Sequence, residues 1–143
     1  MKARDFLRQV QKLNCMIENK MAERQQWMDI AKGAVPQTTG ERVQSSGNQQ
    51  RMADAIGRYV DIEKEIDACI DRLVDARKDV IAVIEQLSKD QYNVLHKIYI
   101  QGKTRQETAD MLDKSYSSVK ELHRRAIVNV QKIIDCREVS EKT

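Results

Sequence analysis

The stretch "TRQETADMLDKSYSSVKELHRRA", residues 104–126, decides how the rest of the chain is read. Thr104 and Glu107, three apart, make a capping box that opens a short helix. A break follows at "DKS", residues 113–115, and a second helix starts near Ser117, with Val119, Leu122 and Ala126 on one face. A short helix, a tight turn and a longer helix with basic residues is the plan of a helix-turn-helix. Where its helices cross, the first must offer a small residue, and Ala109 stands there. Leu112, Val119 and Leu122 supply the apolar contacts that set the crossing angle. The second helix must begin with short polar side chains if its end is to approach base edges in the major groove. Ser115, Tyr116, Ser117 and Ser118 occupy that end, and Lys120, Glu121 and Arg124 follow outward.

Upstream, "LSKDQYNVLHKIYIQG" has Ser88 and Gln91 as a second capping box, an apolar face of Tyr92, Leu95, Ile98 and Tyr99, and Gly102 as its stop. The last helix is expected to reach about Ile134. Further upstream the pieces are longer. Phe6, Val10, Leu13, Ile17, Met21, Met28 and Ala31, joined by Trp27, predict one helix over about 2–32. A loop rich in Pro, Gly and Ser follows at about 33–48. A helix over about 49–86 then carries Met52, Ile56, Tyr59, Ile66, Ile70, Leu73, Val80, Ile84 and Leu87 in a 4-3 rhythm, interrupted by Glu63 and Arg77 and flanked by Ile62, Cys69, Ala76 and Val83. Such heptads argue for a coiled coil. The two helices would extend roughly 45 Å and 55 Å and pair antiparallel across the loop. The same stripes serve equally for pairing between two chains. Glu63 and Arg77 either pair with a facing helix or extend their charges past it.

The fold expected is all-α: a helical hairpin or coiled coil over residues 1–87, a three-helix helix-turn-helix domain over 88–135, and a tail over 136–143. Composition agrees, with 33% charged residues, 4% aromatics, one Pro and five Gly. Cys15, Cys69 and Cys136 are odd in number and far apart, which speaks against a disulfide framework or zinc site and for a reducing cytoplasm. His96 and His123 are single histidines without ligand spacing, so no metal, cofactor or catalytic constellation is expected. No apolar run is long enough for a membrane span. Residues 1–87 hold 14 basic and 14 acidic side chains, and residues 88–143 hold 11 and 8, so the net charge of +3 lies wholly in the C-terminal part. That asymmetry suits an anionic partner.

The segment "LSKDQYNVLHKIYIQGKTRQETADMLDKSYSSVKELHRRAIVNV", Leu87 to Val130, resembles region 4 of sigma-70-type transcription factors, which recognises the promoter −35 element. The whole chain is similar to short sigma-like regulators of phages and integrated elements, the RinA/ArpU type, which activate late or packaging genes. The resemblance implies a DNA-binding transcription regulator with double-stranded DNA and RNA polymerase as partners, acting in the bacterial cytoplasm at the nucleoid. Region 4 usually carries arginine, glutamate and glutamine where this chain has Tyr116, Ser117, Ser118, Lys120 and Glu121, so a different base preference is expected. Asp113 stands where a turn glycine is common, and Thr108 where an aliphatic is common. The base-pair-melting region of a complete sigma factor has no counterpart.

The candidate DNA-binding residues are therefore Lys103, Thr104, Arg105, Lys114, Ser115, Tyr116, Ser117, Ser118, Lys120, Glu121, Arg124 and Arg125. Lys103, Arg105, Lys114 and Arg125 are assigned to phosphates, and residues 115–124 to the groove. Tyr116 either touches DNA or caps the turn. One module with so little excess charge binds weakly, which argues for a homodimer through the hairpin or for help from polymerase. Two rivals remain: a small terminase-like packaging protein, and a protein-binding scaffold that never touches DNA.

Overall fold

The computed structural model describes residues 1–33 and 46–142, with side chains from residue 49 onward in the second stretch. Helix α1 runs Ala3–Ala31 and α2 runs Ser46–Ile84. Then come α3, Lys89–Leu95, continued by a π turn at His96–Ile100, α4, Arg105–Leu112, and α5, Tyr116–Glu141. No strand occurs among the described residues. The loop expected at about 33–48 lies largely outside them: Gly33 forms its first turn, and 46–48 are already helical. Most of the expected tail belongs to α5, which continues through Glu141.

Contacts divide the chain into two compact units, Asn14–Arg72 and a second made of Met1–Leu13 with Leu73–Thr143. The sequence boundary at 87/88 follows the change from long to short helices. The packing instead groups the short helices with one end of each long one.

In the unit Asn14–Arg72, α1 and α2 run antiparallel. Lys20 Nζ lies 3.0 Å from Glu65 and Arg24 Nη1 3.6 Å from Glu63, so the chain rises on one helix as it falls on the other. The buried side of α2 here is Ala55, Ile62, Ile66 and Cys69, with Tyr59 half-buried between them. The flanks Ile62 and Cys69 therefore join Tyr59 and Ile66 of the expected stripe in the seam, together with Ala55, while Met52, Ile56 and Ile70 from that stripe are exposed. Two 4-3 rhythms share Tyr59 and Ile66, and the pattern alone does not say which accompanying column faces inward. Glu63 is no interruption on this side of the helix; it meets Arg24. On α1 the seam passes through Lys20 and Arg24, and Met21 is exposed. The charged heads reach the rim while their stems cover the seam. Arg24 also lies over the Tyr59 ring and Arg58 over Trp27, each 5.8 Å from the centroid.

The other unit has a fuller core. Ala3, Phe6, Leu7 and Val10 of α1 pack with Val80, Val83 and Ile84 of α2, Leu95, Tyr99 and Ile100, and Ala126, Val130 and Ile134 of α5. Hydrogen bonds tie this α1 segment down: Ala3 N–H donates to Gln131 Oε1 at 2.7 Å, and Gln11 Nε2 donates to the Ile98 carbonyl at 2.8 Å. Ser88 caps α3 by accepting from Gln91 N–H. The Gln91 side chain does not complete the box; it accepts from Asn129 Nδ2 at 2.9 Å and so ties α3 to α5.

Candidate nucleic-acid interface

Helix α4 begins at Thr104, whose hydroxyl accepts from Glu107 N–H at 3.1 Å. Thr108, at a position usually aliphatic in the family it resembles, is fully buried because its hydroxyl donates to the Thr104 carbonyl at 2.8 Å. Helix α4 ends at Asp113, held left-handed at φ 53° and ψ 42°. Lys114 N–H then reaches back to the Ala109 carbonyl at 3.0 Å, which closes a Schellman-type stop on a residue that tolerates this conformation better than most. Two residues later α5 begins. Its N-cap is Ser115, earlier than the sequence placed it: the hydroxyl accepts from Ser118 N–H at 3.1 Å and donates to Ser118 Oγ at 2.9 Å. Capping therefore falls to Ser115, and Tyr116, 45% exposed, is the first helical residue.

The crossing is as the residue sizes require. Val94, Ala109 and Val119 form a buried cluster lined by Ile98, Leu112 and Leu122. With that face of α5 buried, its outer face presents Tyr116, Ser117, Ser118, Lys120, Arg124 and Arg125 to solvent, with Glu121 half-buried. Lys103, Thr104 and Arg105 gather at the start of α4, Thr104 exposed and the two cations half-buried. Lys114, in the turn, lies 3.9 Å from Asp90. Lys120 has no ion-pair partner among the described residues. The other two cations of α5 are engaged: Glu121 accepts from Arg124 at 2.6 and 3.0 Å and from Arg125 at 3.0 Å.

Beneath this face lies a buried polar pair that the sequence reading treated as two unrelated residues. His123 is 3% exposed, and its Nε2 lies 2.7 Å from the Tyr99 hydroxyl. Burial, reinforced by the positive charge of Arg105, Arg4 and Arg8, holds the His123 imidazole down at about 4, while burial pushes the Tyr99 phenol up. The signal was present: His123 falls four after Val119 and three before Ala126, on the buried face. What the sequence hides is the π turn. Gln101 N–H bonds the His96 carbonyl five residues back at 3.0 Å. This wider turn lets Leu95 and Ile100, five apart, share one inward face with Tyr99.

Residues 83–132, which contain α3, the π turn, α4 and the first part of α5, match the family "Sigma-70, region 4". This module is sigma-70 region 4-like. The RNA polymerase sigma factor SigO of Bacillus subtilis (strain 168) is similar to this chain, 33% identical over 57 residues that make up 40% of the chain and 32% of that protein. The likeness thus spans about a third of the relative's length. No solved structure matches. Among the described residues, no helix is long and apolar enough to cross a membrane.

Proposed function

We propose that this chain is a sequence-specific DNA-binding transcription regulator that lays the N-terminal half of α5 in the major groove. The observation that carries this reading is the α4–α5 crossing over Ala109 and Val119, which turns Ser117, Ser118, Lys120 and Arg124 outward together. Phosphates on either side of the groove fall to Lys103, Arg105, Lys114 and Arg125, and Thr104 and Ser115 cap the helix ends that face them. The likeness to region 4 supports RNA polymerase as a second partner and the bacterial cytoplasm, at the nucleoid, as the place of action. The resemblance of the chain to short sigma-like regulators of phages and integrated elements supports activation of phage or mobile-element genes. No catalytic role or cofactor enters this reading. It includes a homodimer through the hairpin, supported by the apolar side chains that α2 leaves exposed, among them Met52 at 48% and Ile56 at 50%.

The test is to sequence the fragments of host DNA that the purified protein retains at moderate salt, with light scattering on the same sample. Enrichment of a few promoter-proximal sites by a dimer is the expected result. Enrichment without effect on transcription, by a large ring, would favour a packaging protein. No salt-sensitive retention would leave a scaffold. An Arg124→Ala plus Lys120→Ala variant that binds as well as wild type would overturn the assignment to α5.

A further inference from the structure

Helix α1 contributes more to the sigma-like module than core side chains. Arg4, Arg8 and Gln11 lie four and three residues apart, so they share one flank of the helix. Gln11 fixes where that flank lies, since its amide is bonded to the Ile98 carbonyl inside the π turn. The chain leaving that turn runs through Lys103 to Arg105 at the start of α4. Burial of Ala3, Phe6, Leu7 and Val10 on the neighbouring side holds the segment in place. Lys103 N–H donates to the Lys97 carbonyl at 2.9 Å, so the approach to Arg105 is held against the same π turn that Gln11 touches, and the charges of Arg4, Arg8 and Arg105 all bear on the Tyr99–His123 pair beside that turn.

Arg4 and Arg8 are exposed and Arg105 half-buried, and none has an ion-pair partner among the described residues. Asp5, the only acid among residues 1–13, pairs with neither arginine. Like charges gathered without a counter-ion repel one another and are relieved by an anion. The first helix of a helix-turn-helix crosses the DNA backbone, and Arg105 stands at the beginning of that helix.

We propose that Arg4 and Arg8 form, with Arg105, a second phosphate-binding patch that seats the DNA backbone beside the major groove occupied by α5. The inference rests on the DNA-binding reading above and extends the interface onto the first helix of the chain. Arginine suits the task, because its planar fork binds phosphate oxygens in pairs.

The experiment measures affinity for a random-sequence duplex by fluorescence anisotropy over a salt series, for the full chain and for Arg4→Gln/Arg8→Gln. Each lost phosphate contact flattens the plot of log affinity against log salt by about 0.9. Two contacts therefore reduce the change between about 50 and 200 mM salt by roughly 12-fold. The control pair Lys64→Ala/Arg72→Ala, on α2, is expected to keep the wild-type slope. Arg4→Lys/Arg8→Lys is expected to retain most of the slope; if it loses as much as the glutamine pair, the loss is structural and the patch is overturned. A glutamine pair that keeps the wild-type slope, in a protein that loses binding with Arg124→Ala plus Lys120→Ala, would overturn the patch and leave the α5 reading intact. A wild-type chain with no affinity for the duplex would overturn both.

Discussion

Replacing Glu121 by glutamine isolates the charge balance of α5. The carboxylate accepts three hydrogen bonds from Arg124 and Arg125, the shortest 2.6 Å. Its hydrogen bond to Arg124, above all, holds the carboxyl down at about 2. A carboxylate with a depressed pKa stays ionised until the pH falls through that value, so acid releases the arginines only where much else titrates. Substitution is the clean perturbation. The two arginines are exposed and the Glu121 side chain is 45% exposed, so the cluster adds little to the fold and the effect falls on binding. In the variant both guanidinium groups are available to phosphates. One or two new contacts steepen log affinity against log salt by about 0.9 each, so a fourfold dilution of salt gains roughly 3- to 12-fold more affinity than in wild type. Fluorescence anisotropy on a random-sequence duplex reads this directly. An unchanged slope would refute the argument that Glu121 competes with DNA. Weaker binding at every salt concentration would refute it too, since the carboxylate would then itself serve the complex.

Three further outcomes are expected. His123 is held neutral when folded but titrates near 6.5 when unfolded, so the unfolded chain takes up the proton first. Stability is lost as pH falls from about 6.5 to about 4, with about 2 kcal/mol gone between pH 7 and pH 5; urea unfolding checks this, and Tyr99→Phe/His123→Leu should lack the step. Asp113→Gly removes the cost of a left-handed side chain and should raise stability by about 0.5–1 kcal/mol, seen as a higher urea midpoint with unchanged m. Ser115→Ala removes the N-cap of α5 and should cost about 1 kcal/mol in the same experiment.

The turn chemistry was the most legible part of the chain. Ser88, Thr104 and Asp113 each do what their short polar side chains predict, because caps and left-handed stops depend on residues close in sequence. The crossing at Ala109, Val119 and Leu122 was legible for the same reason: size and spacing decide it. The hairpin seam was only half legible. Tyr59 and Ile66 belong to two candidate columns, and the choice between Ile62 with Cys69 and Ile56 with Ile70 depends on which side of α2 another helix covers. Lys20 and Arg24 escaped notice because charge hides the apolar stems that fill their seam positions. The His123–Tyr99 pair and the α1 arginines depend on residues far apart in sequence, placed by a π turn that no residue type announces.

The bond from Ala3 to Gln131 joins residues 128 positions apart, and Phe6, Leu7 and Val10 lie in one cluster with Ala126 and Val130. During synthesis, therefore, the first partners in this core emerge long before the last. Until then the part of the apolar side of α1 that α5 covers stays open to water and to chaperones. Closing so long a loop slows folding more than it weakens the finished fold, because the entropic cost grows only with the logarithm of its length. A polypeptide clipped within its first turns, or halted before α5, leaves the underside of the sigma-like module partly uncovered. The underside of α5 is therefore complete only in a chain whose early and late segments have both been made.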